Sequence, residues 1–205
     1  MMAAMVTVVE ALRGRRVVVE FPAAGVGDWM AACEVLVQEG IHAWAFALGD
    51  AATAVEAMRV YGRRVRIGIH GVRTAQEVRD AAAHGVHFLT SPVANWELMD
   101  AASGTPLALG ALTPNEVQFA LGFGAPTVQV VPAEALGMAY ARTLAELFAG
   151  VELLAAGRLE KFQCDIWLQA GASAVALAPA VLFGDGTTLD LDALRRRARE
   201  FGEIG

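Results

Sequence analysis

The sequence has a single lysine, Lys161; the other fifteen of its sixteen basic residues are arginine. Amine nucleophile chemistry from a side chain therefore has one place to occur. That place falls within Arg158–Trp167, which reads as a helix following a strand, where a lysine normally faces water. Cysteine is nearly absent too. Cys33 and Cys164 lie far apart with no metal-ligand spacing, and two cysteines make no disulfide framework. They read as small buried hydrophobes in a reducing, cytoplasmic setting. Positive charge is in deficit, with a formal net charge of -6. That argues against a nucleic-acid surface, which needs clustered cations to neutralise phosphates.

Long uninterrupted apolar runs are missing as well. The most apolar stretch, Ile166–Phe183, is broken by Gln169, Gly171, Ser173 and Pro179. A helix end followed by a buried strand explains it better than a membrane span. Met1–Arg16 has no basic leader region. Its Glu10, Arg13, Arg15 and Arg16 read as the polar side of an amphipathic N-terminal helix, not as part of a signal peptide.

What the chain does contain is a repeated pattern. A helix ends in glycine, one or two residues follow, and a short apolar run begins. Gly40 precedes His42–Leu48, Gly85 precedes His87–Thr90, Gly124 precedes Thr127–Val131 and Gly171 precedes Ala174–Ala178. Glycine supplies the left-handed conformation that closes a helix. A short apolar run after it reads as a buried parallel strand. Filling in the remaining runs predicts eight strands, at 17–21, 42–48, 65–69, 86–90, 107–110, 127–131, 151–155 and 174–178. Alternating strands and helices imply right-handed crossovers, and eight such units close into a (β/α)₈ TIM barrel, an α/β fold. With 205 residues and 56% hydrophobic content, the chain reads as one domain spanning 1–205.

Several helix starts are legible. Thr74 before Ala75-Gln76-Glu77 is a capping box, and Thr113-Pro114-Asn115-Glu116 offers a cap, a first-turn proline and an acid. A last helix from about Asp190 to Phe201 carries acids early and Arg195, Arg196, Arg197 and Arg199 late, which suits the helix dipole. That arginine run reads as a solvated face.

Active sites of such barrels lie at the C-terminal ends of the strands. The titratable groups nearest that mouth are Glu20, Asp50, His70 and Glu134, and the inward polar group on strand six is Gln129. At these positions the chain resembles the 2-keto-3-deoxy-6-phosphogluconate / 4-hydroxy-2-oxoglutarate aldolase family over nearly its whole length. Val130-Val131-Pro132-Ala133-Glu134 is similar to that family's Phe-Phe-Pro-Ala-Glu, and Thr90-Ser91-Pro92 to its Ile-Ser-Pro. Gly110-Ala111-Leu112-Thr113-Pro114-Asn115-Glu116 is similar to its Gly-x-x-Thr-x-x-Glu, and Gly68-Ile69-His70-Gly71-Val72 lies where it has Gly-Ala-Gly-Thr-Val.

The resemblance implies a class I aldolase-like barrel, a homotrimer, acting on a small-molecule 2-keto acid that it cleaves to pyruvate. It also implies a Schiff-base lysine where this chain has Gln129, and an amide nitrogen cannot condense with a ketone. The family's general-base glutamate falls at Ala45, its substrate-binding arginine near Gly49 and its strand-three threonine at Gly71. Its phosphate loops fall at Ala156-Gly157-Arg158 and Ala178-Pro179-Ala180, where Pro179 has no N–H to offer an anion.

The expected site is therefore Gln129, Glu20, Asp50 and His70 as reacting groups, with Ser91, Pro92, Thr113 and Glu134 binding substrate. No cofactor is implied. A divalent metal would need two or three of Glu20, Asp50, His70 and Glu134 to converge. Gln129 either hydrogen-bonds a substrate carbonyl or carboxylate, or satisfies a polar core. Two readings follow: a relative that has lost the classical activity, or a lyase or isomerase working by acid–base or metal chemistry on a non-phosphorylated 2-keto acid. Convergence of Glu20, Asp50 and His70 in an open mouth favours the enzyme. A mouth plugged by Phe21, Trp44, Phe46 and Leu109 favours the other.

Overall fold

Eight parallel strands hydrogen-bond in chain order, and the eighth returns to the first, so the sheet has no free edge. The computed structural model describes residues 6–23, 26–184 and 189–204. The strands are β1 (Val17–Glu20), β2 (Ala43–Ala47), β3 (Arg66–His70), β4 (Phe88–Thr90), β5 (Leu107–Ala111), β6 (Thr127–Val130), β7 (Glu152–Gly157) and β8 (Ala174–Leu177). A helix α1 (Val8–Leu12) precedes them. The interleaved helices are α2 (Trp29–Gln38), α3 (Ala51–Tyr61), α4 (Ala75–Ala83), α5 (Trp96–Ala101), α6 (Pro114–Gly122), α7 (Gly137–Leu147) and α8 (Lys161–Ala170), followed by α9 (Pro179–Phe183) and α10 (Leu191–Gly202). The chain is thus the (β/α)₈ barrel that the periodicity predicts.

Strand side chains alternate between two cores. The bulky set, including Val19, Trp44, Phe46, Ile67, Ile69, Leu89 and Leu109, packs outward against the helices. The lumen set is mostly small: Val18, Ala43, Ala45, Ala108, Leu154, Ala156, Ala174 and Ala176, with Phe88 as the one large ring. Phe88 fits because its register partner on β3 is Gly68, where a Cβ would stand 2.5 Å from the ring.

The predicted glycine punctuation is present. Gly171, with φ of 118°, caps α8, and Gly40, Gly85 and Gly124 also take positive φ. The capping boxes at Thr74 and Thr113 are both formed. Ile166–Phe183 divides into the end of α8, β8 and α9, and among the described residues no helix is long and apolar enough to cross a membrane.

One element differs from expectation. The N-terminal helix ends at Leu12, and Arg13 takes a left-handed φ of 51°, so Arg13, Arg15 and Arg16 leave the helix instead of lining its polar side. Residues 1–5 of the expected helix lie outside the described set. The turn is forced because Val8, Ala11 and Leu12 join the lumen core, making α1 a plug for the barrel's N-terminal end. The plug is fastened at both ends: the Val8 N–H donates to the Thr127 hydroxyl, and Arg66 Nε donates to the Ala11 carbonyl at 2.7 Å. On α10, Arg196 and Arg199 are exposed as a solvated face requires, and Arg195 and Arg197 are half-buried. Arg195 and Arg199 clamp Glu39 beyond α2, and Arg197 donates to the Leu182 carbonyl.

Candidate active site at the C-terminal mouth

Parity along the strands decides which groups reach the lumen. Glu20 ends β1 two residues after inward Val18, and His70 ends β3 two residues after Gly68, so both point inside. His70 Nδ1 lies 3.9 Å from Glu20 Oε2, and both side chains are about 15% exposed. The other ring nitrogen, Nε2, sits 2.9 Å from the Phe21 carbonyl oxygen. A carbonyl only accepts, so Nε2 carries a proton, and Nδ1 is the ring nitrogen turned towards Glu20. Burial pushes the Glu20 carboxyl above its ordinary range, and attraction to His70 pulls part of that back. The carboxyl group and the imidazole thus face each other across the lumen at 3.9 Å.

Two further polar groups share this lumen face. Thr90, at the end of β4, is the register partner of His70; Gln129, on β6, is paired with Gly110 and Leu154. Both residues are almost fully buried, and the Thr90 hydroxyl oxygen and Gln129 Oε1 have no hydrogen-bond partner. A buried polar atom without a partner is costly, so each of these two calls for a polar partner that the protein does not supply.

The other expected residues are placed differently. Asp50 lies in the 3-10 turn after β2 and lines a separate cavity of about 250 Å³ with Phe21, Trp29, Phe46 and Thr53. Ser91 has the opposite parity to Thr90, and its hydroxyl accepts from the Val93 N–H. Pro92 lies with its backbone against Gly110, where a Cβ would come within 2.2 Å of the Pro92 carbonyl carbon. The Thr113 hydroxyl is engaged with Glu116 at the start of α6. Among the described residues, no group of three His, Cys, Asp or Glu side chains is placed to hold a metal ion. Phe21, Trp44, Phe46 and Leu109 belong to the helix-facing core, so they do not plug the mouth.

Glu134 occupies an informative position. A Cβ on Gly157 would meet its Oε2 at 1.9 Å, so the carboxylate rests directly on the C-terminal end of β7. After β8, Pro179 opens α9 without an N–H. The positions expected for two anion loops thus present a carboxylate at one and a missing donor at the other. Lys161 is the first residue of α8 and is paired with Asp165 at 3.2 Å. It lines a cavity of about 680 Å³ between α8, α9 and α10, which includes neither Glu20 nor His70.

Thr90 is the lumen residue that sequence reasoning passed over in favour of Ser91 and Pro92. Alternation from the inward Phe88 is the signal that finds it.

The model of the KDPG and KHG aldolase family matches residues 8–194. A 2-dehydro-3-deoxy-phosphogluconate aldolase from Treponema pallidum (strain Nichols) is 30% identical over 158 residues, 75% of either chain. A solved 4-hydroxy-2-oxoglutarate / 2-dehydro-3-deoxyphosphogluconate aldolase superposes with a TM-score of 0.78 at 26% identity, covering 96% of this chain and 97% of the other. A cube-shaped cage designed by fusing symmetric oligomeric domains gives a TM-score of 0.80 at 19% identity, over 91% of this chain and 70% of that one.

Proposed function

The chain belongs to the KDPG and KHG aldolase family, and from that premise we propose that it is a carbon–carbon lyase releasing pyruvate from a small, non-phosphorylated 2-keto acid by acid–base chemistry, without a Schiff base. The observation that carries this reading is the convergence of Glu20 and His70 on the lumen face that also holds the unpartnered Thr90 and Gln129. Glu20, as carboxylate, takes the proton of the substrate's C4 hydroxyl. The C3–C4 bond breaks, its electron pair becomes the enolate of pyruvate, and the aldehyde leaves. The Gln129 amide and the Thr90 hydroxyl hydrogen-bond the C2 oxygen as negative charge develops there. The Glu20–His70 pair then returns the proton to C3. A carboxyl group raised towards neutrality by burial is suited to both halves of this exchange. A terminal phosphate is disfavoured, because the Glu134 carboxylate covers Gly157 and Pro179 removes a donor.

A homotrimer accompanies the reading. Val93 and Phe119 line one cavity and are exposed, as is Trp96, close by in sequence and 61% exposed; we assign the contact between copies to these three side chains. Both cysteines are buried as free thiols, which suits the cytoplasm.

The test is hydrogen exchange at the pyruvate methyl group in D₂O, followed by proton NMR. This is the reverse half of the reaction and needs no knowledge of the aldehyde. Wild type is expected to accelerate exchange and Glu20→Gln to abolish it. Borohydride is expected to trap no adduct at Gln129 or Lys161. Saturable pyruvate binding without exchange would replace this reading with a non-catalytic binding role, and a reduced adduct at Lys161 would overturn it.

A further inference from the structure

The end of the barrel opposite the mouth concentrates positive charge in a chain that is otherwise acidic. After α1, the turn Arg13-Gly14-Arg15-Arg16 leads into β1, and beside it begins β3 with Arg66 and β4 with the preceding His87. Arg15 is held in place by three backbone carbonyls: Nη1 donates to those of Leu12 and Arg13, and Nη2 to that of Arg64 at 2.7 Å. Arg66 is held by the Ala11 carbonyl. Neither group is paired with a carboxylate among the described residues, nor are Arg13 and Arg16, and residues 1–5 contain no acid. The nearest acid in sequence, Glu10, accepts from the Thr7 N–H in the α1 capping box. Arg15 Nε is buried with no partner.

These cations act on one another. Burial, and then proximity to Arg13 and Arg15, make the charge on Arg66 less favourable; burial, and then the same three arginines, disfavour charge on His87. Like charges fixed this closely destabilise the native state unless an anion offsets them. The chain has 22 acidic residues from which to supply one and uses none of them in the described ion pairs of this cluster. Against the cluster lies a cavity of about 460 Å³, lined by Arg13, Arg15, Arg16 and His42, with Gly40 and Phe201 closing its side. Its size lies within the range of about 300–1,000 Å³ usual for small-molecule pockets.

We propose that this N-terminal end of the barrel is a binding site for a small multivalent anion, an organic phosphate or a tricarboxylate, held by Arg13, Arg15 and Arg16 with His42. Guanidinium forks match the paired oxygens of either group, and two of the cluster's forks, those of Arg15 and Arg66, are already positioned by backbone contacts. The site is separate from the catalytic mouth, with α1 and the filled lumen between them. It requires no catalysis and is independent of the reaction proposed above.

Titration calorimetry on the full chain tests it, with pyrophosphate and citrate as probes at low ionic strength. The variant is Arg13→Gly with Arg16→Gln: glycine suits the left-handed backbone at position 13, and neither arginine side chain makes a described hydrogen bond. We expect saturable binding of at least one probe at one site per chain, weakened by at least about tenfold in the variant. We also expect that without anion the variant unfolds at a temperature no lower than wild type, and that the anion raises the midpoint of wild type only. Binding of pyrophosphate alone would assign the site to phosphates, and binding of citrate alone to carboxylates. Absence of saturable binding, binding unchanged in the variant, or binding lost on Gln129→Met at the far mouth would overturn the proposal.

Discussion

Gln129→Met isolates the energetic meaning of the amide that stands in the barrel interior. Gln129 is 4% exposed, and its Oε1 is buried without a partner. On β6 it is paired with Gly110 and Leu154, and the lumen beneath it is lined by Ala108, Leu154 and Phe88. Leaving such an oxygen unsatisfied costs about 1–3 kcal/mol. Methionine is unbranched, similar in length and adaptable to irregular gaps, so repacking should return well under about 1.5 kcal/mol of that. The expected net effect is a gain of about 1–2 kcal/mol. At roughly 2–4 °C per kcal/mol for a domain of this size, the thermal midpoint should rise by roughly 2–8 °C. The assay is urea unfolding of the ligand-free protein with calorimetry alongside, requiring a higher midpoint at an unchanged slope. A serine, threonine or glutamine that served only to complete a polar core would behave oppositely. A lower midpoint for Gln129→Met would mean that the amide is satisfied in the native state and would refute its assignment as a ligand-facing group.

Other consequences are open to measurement. Gln129→Lys should acquire a borohydride-trappable pyruvate adduct, visible by mass spectrometry, because the family resemblance aligns position 129 with a Schiff-base lysine; no adduct would show that this alignment is wrong. Glu20 has a folded pKa raised above its ordinary 4.5, so the native state keeps a proton that the unfolded chain releases, and its contribution to stability is lost as pH rises from about 4.5 through the folded value. Glu20→Gln should remove that slope, read as the difference between wild-type and variant melting curves across pH. Gly110→Ala puts a methyl group 2.2 Å from the Pro92 backbone and should cost about 3 kcal/mol or more, whereas a neutral result in chemical denaturation would contradict that packing. Trp96→Glu with Phe119→Glu, at residues 61% and 62% exposed, should convert the proposed trimer to a monomer in light scattering at little cost to the fold of each chain.

The barrel was written in local signals that need no tertiary context. Glycine after several helices, threonine with glutamate three residues on, and short apolar runs at even spacing each report backbone geometry within a few residues, and they led to the right element order. The absence of a lysine at position 129 was equally plain, because a residue type needs no coordinates. What the chain could not show was direction and proximity. Glu20 and His70 are fifty residues apart, and only closure of the sheet brings Nδ1 and Oε2 to 3.9 Å. Parity separates Thr90, which enters the lumen, from Ser91, which does not, and a one-residue error in strand register would exchange them. Asp50 resembled Glu20 as an acid near a strand end, yet the turn after β2 carries it into a different cavity. The same holds at the opposite pole. Arg13, Arg15 and Arg16 suited a helix face by spacing until the plug of α1 in the lumen ended that helix at Leu12. Local sequence determined the elements, since hydrogen bonds within an element depend on neighbours along the chain. The tertiary structure alone decided which charges meet, since electrostatic contact depends on distance in space.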